Sequence, residues 1–146
     1  MKRAWWNIVF TCRSDLQIGW FDMARLFLAI ASILGALSVA GGAFGAHALK
    51  DRLSETALGS FETGIRYQMY HTIALLVVGL LIARSPNVSS LTAAGWCFIA
   101  GIVLFSGSLY GLSLAGMKAL GPVTPLGGVA FMAGWICLAI GSAKAF

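Results

Sequence analysis

The stretch RLFLAIASILGALSVAGGAFGAHALK, residues 25–50, contains 24 consecutive residues without Asp, Glu, Lys or Arg. A membrane-spanning α-helix needs about 20 predominantly apolar residues. The polar side chains inside this stretch are two serines and, close to its end, His47. The stretch therefore predicts a membrane helix that leaves the bilayer near His47 and Lys50.

Further charge-free stretches follow, of 17, 33 and 25 residues. Short polar connectors separate them, and in the last connector Thr124 is a candidate N-cap with Pro125 as the first helical residue. The second helix is expected to begin as an amphipathic turn or two near residues 54–61. The pattern predicts an all-α, four-helix transmembrane bundle with up-down antiparallel topology, with helices at roughly 25–47, 65–84, 90–116 and 125–144.

The composition agrees with a membrane protein. Hydrophobic residues make up 59% of the 146 residues and charged residues 10%, whereas soluble domains carry about 25% charged residues. The net charge of +5 comes from scattered basic residues, which indicates lipid headgroups rather than nucleic acid as their partner. The three cysteines lie far apart without CxxC spacing, which favours neither a zinc site nor a disulfide framework.

Residues 1–22 differ from the remainder, residues 23–146, which we interpret as the transmembrane domain. Their apolar run, residues 4–11, is too short to span a bilayer. One interpretation is an interfacial arm with Trp5, Trp6 and Trp20 among the headgroups. The other, which we favour, is that translation starts at Met23.

Glycines inside the predicted helices indicate close helix packing, because small residues let backbones approach each other in lipid. Two GxxxG pairs and a repeat of seven residues in the last helix carry this pattern. The predicted packing residues are Gly41, Gly45, Gly107, Gly111, Gly127, Gly134 and Gly141.

Polar side chains gather at the connected ends of helices one and two. Ionisable groups near the membrane interior are functional candidates, and two imidazoles could hold a haem or a metal, although an interfacial anchor with satisfied groups is the favoured interpretation. The cluster is a candidate site for a lipid headgroup or a quinone-like ring. Its members are His47, Glu62, Arg66, Tyr67, Tyr70 and His71.

No catalytic set is evident in the sequence. Ser106 and Ser108 lie in the third helix without a base at matching depth, and a nucleophilic serine needs one. We therefore expect no enzyme activity, no metal and no cofactor.

Four blocks of the chain, in order, resemble the YgdD family, which is the domain of unknown function 423 and is shared with the eukaryotic transmembrane protein 256. The resemblance runs over about residues 23–143 and implies a small multi-pass protein of the bacterial inner membrane with mitochondrial relatives. It implies no established reaction. The blocks are MARLFLAIASILGALSVAGGAFGAHALK, FETGIRYQMYHTIALL, FSGSLYGLSLAG and LGPVTPLGGVAFMAGW.

These patterns favour a non-catalytic structural or accessory component whose partners are the bilayer and another membrane protein or a second copy. The alternative is binding or transport of a small ligand, lipid or quinone through the polar cluster. Basic residues number six on the side of the termini and four on the other side, so the positive-inside rule predicts cytoplasmic termini.

The orientation depends on residues 1–22, because a chain starting at Met23 has three basic residues on the side of the termini against four on the other. We expect a C-terminal reporter to be cytoplasmic in the full chain and of mixed orientation in the chain from Met23. Paired alkaline phosphatase and fluorescent-protein fusions measure this. Identical orientation of both chains would show that the basic residues within 1–22 do not set the orientation.

Overall fold

The computed structural model describes residues 2–146, together with the side chains of residue 19 and residues 21–146. The interpretation of residues 1–22 therefore falls largely outside the described side chains. The described chain consists of helices and short connections. In chain order these are α1 (Lys2–Phe44), a π-helical turn (Gly45–Leu49), α2 (Glu55–Arg84), α3 (Ser89–Gly101), a second π-helical turn (Ile102–Ser106), α4 (Gly107–Ala115), a 3₁₀ turn (Lys118–Leu120) and α5 (Val123–Ala145).

In the part of the chain that the structure describes, four segments are long and apolar enough to cross a membrane, and the third combines α3, the second π turn and α4. The prediction of an all-α, four-helix transmembrane protein is confirmed. The spans are Phe21–Leu49, Glu55–Arg84, Ser89–Ala115 and Lys118–Ala145.

The second span begins at Glu55, within the stretch 54–61 where the sequence predicts that the helix begins as an amphipathic turn before the segment 65–84. Glu62 and Arg66 lie on an exposed face of this first part of the helix. Ser54 caps the helix, because its Oγ accepts the Ala57 N–H at 3.3 Å.

The predicted N-cap at Thr124 is wrong. Helix α5 starts at Val123 and follows Pro122 without a side-chain cap. The Thr124 hydroxyl instead shares a hydrogen bond of 2.7 Å with Ser108 Oγ on α4. A bond between two helices thus replaces the local cap.

Helix α2 and the third span occupy the middle of the bundle. Helix α1 packs mainly on α2 and α5 mainly on α3, while α2 contacts each of the other numbered helices. The largest fully buried side chains come from α1, α2 and α3, and they pack as one apolar core. They include Phe27, Leu75, Val78, Ile82, Leu91 and Phe98.

Several predicted packing glycines lie where an added methyl group would press on a side chain from another part of the bundle. A methyl group would meet Ile65 at Gly41, Phe61 at Gly45, Leu120 at Gly111, Phe98 at Gly134 and Leu91 at Gly141. Gly107 differs from the prediction: it is exposed, and a methyl there would meet no atom within 4 Å. It follows the π turn and faces outward.

Gly127 differs from these positions because the atoms that it faces include the backbone of another span. A methyl at Gly127 would lie 2.7 Å from the Cα of Phe105 and closer still to its amide nitrogen. These are backbone atoms of the second π turn, which cannot rotate away as a side chain can. Gly127 therefore sets how closely α5 approaches the third span.

We expect Gly127→Ala to lower the free energy of unfolding by about 1–3 kcal/mol, the usual cost of overpacking. The neighbouring Gly128→Ala is the matched control, because a methyl there meets nothing within 4 Å. Unfolding in detergent, followed by circular dichroism, measures both. Equal stabilities of the two variants would contradict the close approach.

Candidate functional site

The buried side chain of Gln68 joins three helices. It is 6% exposed. Its Nε2 donates to Ser38 Oγ at 3.0 Å and to the Leu34 carbonyl oxygen at 3.2 Å, both on α1. Its Oε1 accepts from the Tyr110 hydroxyl of α4 at 3.0 Å. Both Nε2 protons and the carbonyl oxygen of the amide are therefore engaged between helices.

Gln68 is absent from the predicted site residues because the sequence prediction weighed ionisable groups. The available signal was a long amide side chain inside a membrane-spanning helix. Its partners could not be chosen from the sequence, since Ser38 and Tyr110 lie 30 and 42 residues away.

His71 is buried, at 5% exposure, and both its ring nitrogens are engaged. The contact of 2.7 Å from Nδ1 to the Tyr67 carbonyl oxygen requires a proton on Nδ1, because a carbonyl only accepts. The Trp135 indole N–H lies 3.3 Å from Nε2 and can only donate, so Nε2 accepts. The two bonds together define a neutral imidazole with its proton on Nδ1.

Aromatic rings surround this imidazole. The Phe131 ring stacks on it at a centroid distance of 3.4 Å and an angle of 7°. Phe98 and Trp135 approach from two other directions, at 5.7 and 6.2 Å. The cluster links α2 to α3 and α5, so His71 belongs to the packing between these helices.

His47 lies in a different environment. It is exposed on the first π turn, near the end of the first span. Among the described residues, no group of three or more His, Cys, Asp or Glu side chains could hold a metal ion. A ligand shared by His47 and His71 would require His71 to give up one of its two bonds; the shared ligand stays a prediction.

The predicted polar cluster divides between two faces of α2. Glu62 and Arg66 line a cleft between α1 and α2 with a volume of about 270 Å³. The other lining residues are Gly42, Gly45, Phe61 and Ile65. Tyr67, by contrast, stacks with Phe105 at 4.6 Å beside the aromatic cluster. Tyr70 is 54% exposed on the surface of the helix.

The two charged groups of the cleft do not pair with each other. Across the described side chains, the single ion pair within 4.0 Å joins Arg25 and Asp22 at the protein surface. The spacing of Glu62 and Arg66 by four residues would allow a pair. Both residues are instead exposed at the edge of the cleft.

The serines of the third span serve packing. Ser108 donates to the Phe105 carbonyl oxygen at 2.8 Å and also meets Thr124. Ser106 is fully buried, and its hydroxyl has no hydrogen-bond partner among the described residues. The sequence interpretation of Ser108 as a packing residue agrees with its bonds.

These features define a multi-pass α-helical membrane protein whose polar residues cross-link its helices. Residues 41–128 match the family model described as "Protein of unknown function (DUF423)". The chain belongs to this family, and the resemblance seen in its sequence is confirmed. No solved structure matches the chain.

The similar proteins are named as membrane proteins, and this chain matches nearly their whole length. The chain is 44% identical over 120 residues to the UPF0382 membrane protein YwdK of Bacillus subtilis (strain 168), covering 82% of this chain and 98% of the relative. It is 42% identical over 122 residues to the UPF0382 inner membrane protein YgdD of Escherichia coli (strain K12), covering 83% and 92%. The chain is accordingly a multi-pass protein of the bacterial inner membrane.

We expect Gln68 and Tyr110 to be energetically coupled. A double-mutant cycle with Gln68→Leu and Tyr110→Phe should give an interaction of about 0.6 kcal/mol, and at most about 1.7, the range for hydrogen bonds inside membranes. Unfolding in detergent measures it. Gln68→Leu combined with Ser60→Ala is the control and should be additive, because Ser60 bonds only to the Thr56 carbonyl oxygen of its own helix. Additivity of both pairs would contradict the hub role of Gln68.

Proposed function

We propose that this protein is a non-catalytic accessory component of the inner membrane, built to present a rigid helical surface to another membrane protein or to a second copy. The observation that carries the proposal is the use of the buried polar side chains. Gln68 bonds to α1 and α4, and His71 bonds to Trp135 of α5. Such bonds hold helices together and leave their groups unavailable for chemistry.

The same bonds argue against acyl or proton transfer as the role of this site. A general base needs a free nitrogen or oxygen within reach of the proton it removes. The His71 imidazole has its acceptor nitrogen bound to the Trp135 indole, and Ser108 is bound to a carbonyl and to Thr124. Both groups act as packing residues in this proposal.

The outer face of α1 supports the docking of a partner helix. Helix α1 packs mainly on α2. The first span is the least buried of the four described spans. Its outward surface carries Ser32, Ala36 and Ala40, each exposed and spaced by four residues. Small residues at this spacing let a second helix approach closely in lipid, whereas a surface that meets only lipid gains nothing from them.

Ala36→Leu tests this proposal, because a large side chain would hold a partner helix away. We expect the variant to lose the larger complex that the unaltered chain retains in mild detergent, with unchanged thermal unfolding. Ala139→Leu, at an exposed position of α5, is the matched control and should keep the complex. Native mass spectrometry and cross-linking in membranes measure the assembly.

Two results would overturn the proposal. One is a monomer in both detergent and membranes, unaffected by Ala36→Leu. The other is a stoichiometric chromophore or metal that disappears when His47 and His71 are replaced by alanine, because this would place a cofactor rather than a partner at the centre of the function.

A further inference from the structure

The cleft between α1 and the start of α2 has a floor without a side chain at Gly42 and a charged edge. Gly42 of α1 is exposed, so the α1 backbone is accessible there, whereas Gly45 of the first π turn is buried and faces the Phe61 ring. Phe61 and Ile65 form apolar walls, and Glu62 and Arg66 stand on the α2 edge. Both charged residues are exposed, so a molecule can enter from the surrounding bilayer.

The unpaired charges favour a ligand that carries both signs. A carboxylate and a guanidinium close to the hydrocarbon region are costly unless each meets an opposite charge. Glu62 and Arg66 do not provide this for each other, since the ion pair within 4.0 Å in the described part of the chain is elsewhere. A guanidinium binds phosphate through two parallel hydrogen bonds, and a carboxylate accepts from an ammonium group.

The order of the two charges along α2 matches a phospholipid headgroup. The helix begins at Glu55, so at about 1.5 Å per residue Glu62 lies about 10 Å along its axis and Arg66 about 16 Å. Arg66 is therefore deeper in the membrane. In a phospholipid the phosphate likewise lies deeper, next to the glycerol, and the amine lies closer to water.

We propose that the cleft holds the headgroup of a zwitterionic phospholipid with a primary ammonium group. Its phosphate binds Arg66 and its ammonium donates to Glu62. The ammonium end lies at the level of Phe61 and Gly45, and the phosphate lies at the level of Ile65 and Gly42. The glycerol region and the acyl chains continue deeper into the bilayer from there. A phosphatidylglycerol headgroup satisfies Arg66 alone, and a choline headgroup has no N–H to donate to Glu62.

The test uses the full chain reconstituted in vesicles of phosphatidylethanolamine and phosphatidylglycerol in equal amounts, then released for native mass spectrometry of retained lipid. We expect phosphatidylethanolamine to be retained preferentially. Glu62→Gln should reduce this preference about tenfold, the effect of losing one hydrogen bond to a charged group. Arg66→Gln should remove retention of both lipids. Glu55→Gln and Arg52→Gln change exposed charges outside the cleft and should leave retention unchanged.

A second variant fills the cleft without removing a charge. Gly42 is exposed, and the nearest atom to a methyl there would be Ile65 Cγ2 at 4.0 Å. Gly42→Leu should therefore keep its helical content and thermal unfolding and yet lose the retained lipid. Normal retention by this folded variant would overturn the proposal.

Four other outcomes would also overturn it. Preference for phosphatidylglycerol in these vesicles, or equal retention of choline and ethanolamine lipids in vesicles that contain both, would show that Glu62 does not select an ammonium. Equally effective competition by soluble phosphoethanolamine would show that a small anion, not a lipid, is the occupant. Cross-linking of Gly42→Cys to a protein in native membranes would show that the cleft is a protein contact.

Discussion

The structure depends on the amide of Gln68, which among the described side chains is the one hydrogen-bonded to both α1 and α4. Inside a bilayer there is no water to satisfy a displaced amide. Its three bonds therefore set the register of α1 and α4 relative to α2 together. The close approaches of Gly41 to Ile65 and of Gly45 to Phe61 lie between the same two spans.

A second set of contacts holds α5. Gly127 lets α5 approach the backbone of the second π turn, and this approach brings Phe131 onto the His71 ring and Trp135 within reach of its Nε2. The imidazole is thus used as a flat, neutral packing surface with two defined bonds. The polar interior stabilises the fold, which is why the proposed lipid site rests on the unpaired charges of the cleft instead.

The sequence predicted the fold well and the site in part. Charge-free lengths identified four helices, because a bilayer excludes charged side chains whatever the packing. Glycine spacing identified Gly127, Gly134 and Gly141 as residues of one packing face, whereas Gly107 faces outward. Charge counting alone places the second apolar stretch after Arg66, but the expected amphipathic start near 54–61 agrees with the start at Glu55, because an exposed helix face tolerates Glu62 and Arg66.

The sequence by itself determined the class of protein, the number of spans and the family. These depend on composition and local pattern, because the bilayer excludes charged side chains from long stretches of the chain. The tertiary structure alone decided the role of each polar residue. Residues 62–71 read as one cluster, yet helical rotation directs Glu62 and Arg66 to the cleft and His71 to the aromatic core. Which groups find partners depends on helices distant in sequence, and only their packing brings Ser38, Tyr110 and Trp135 to the residues of α2.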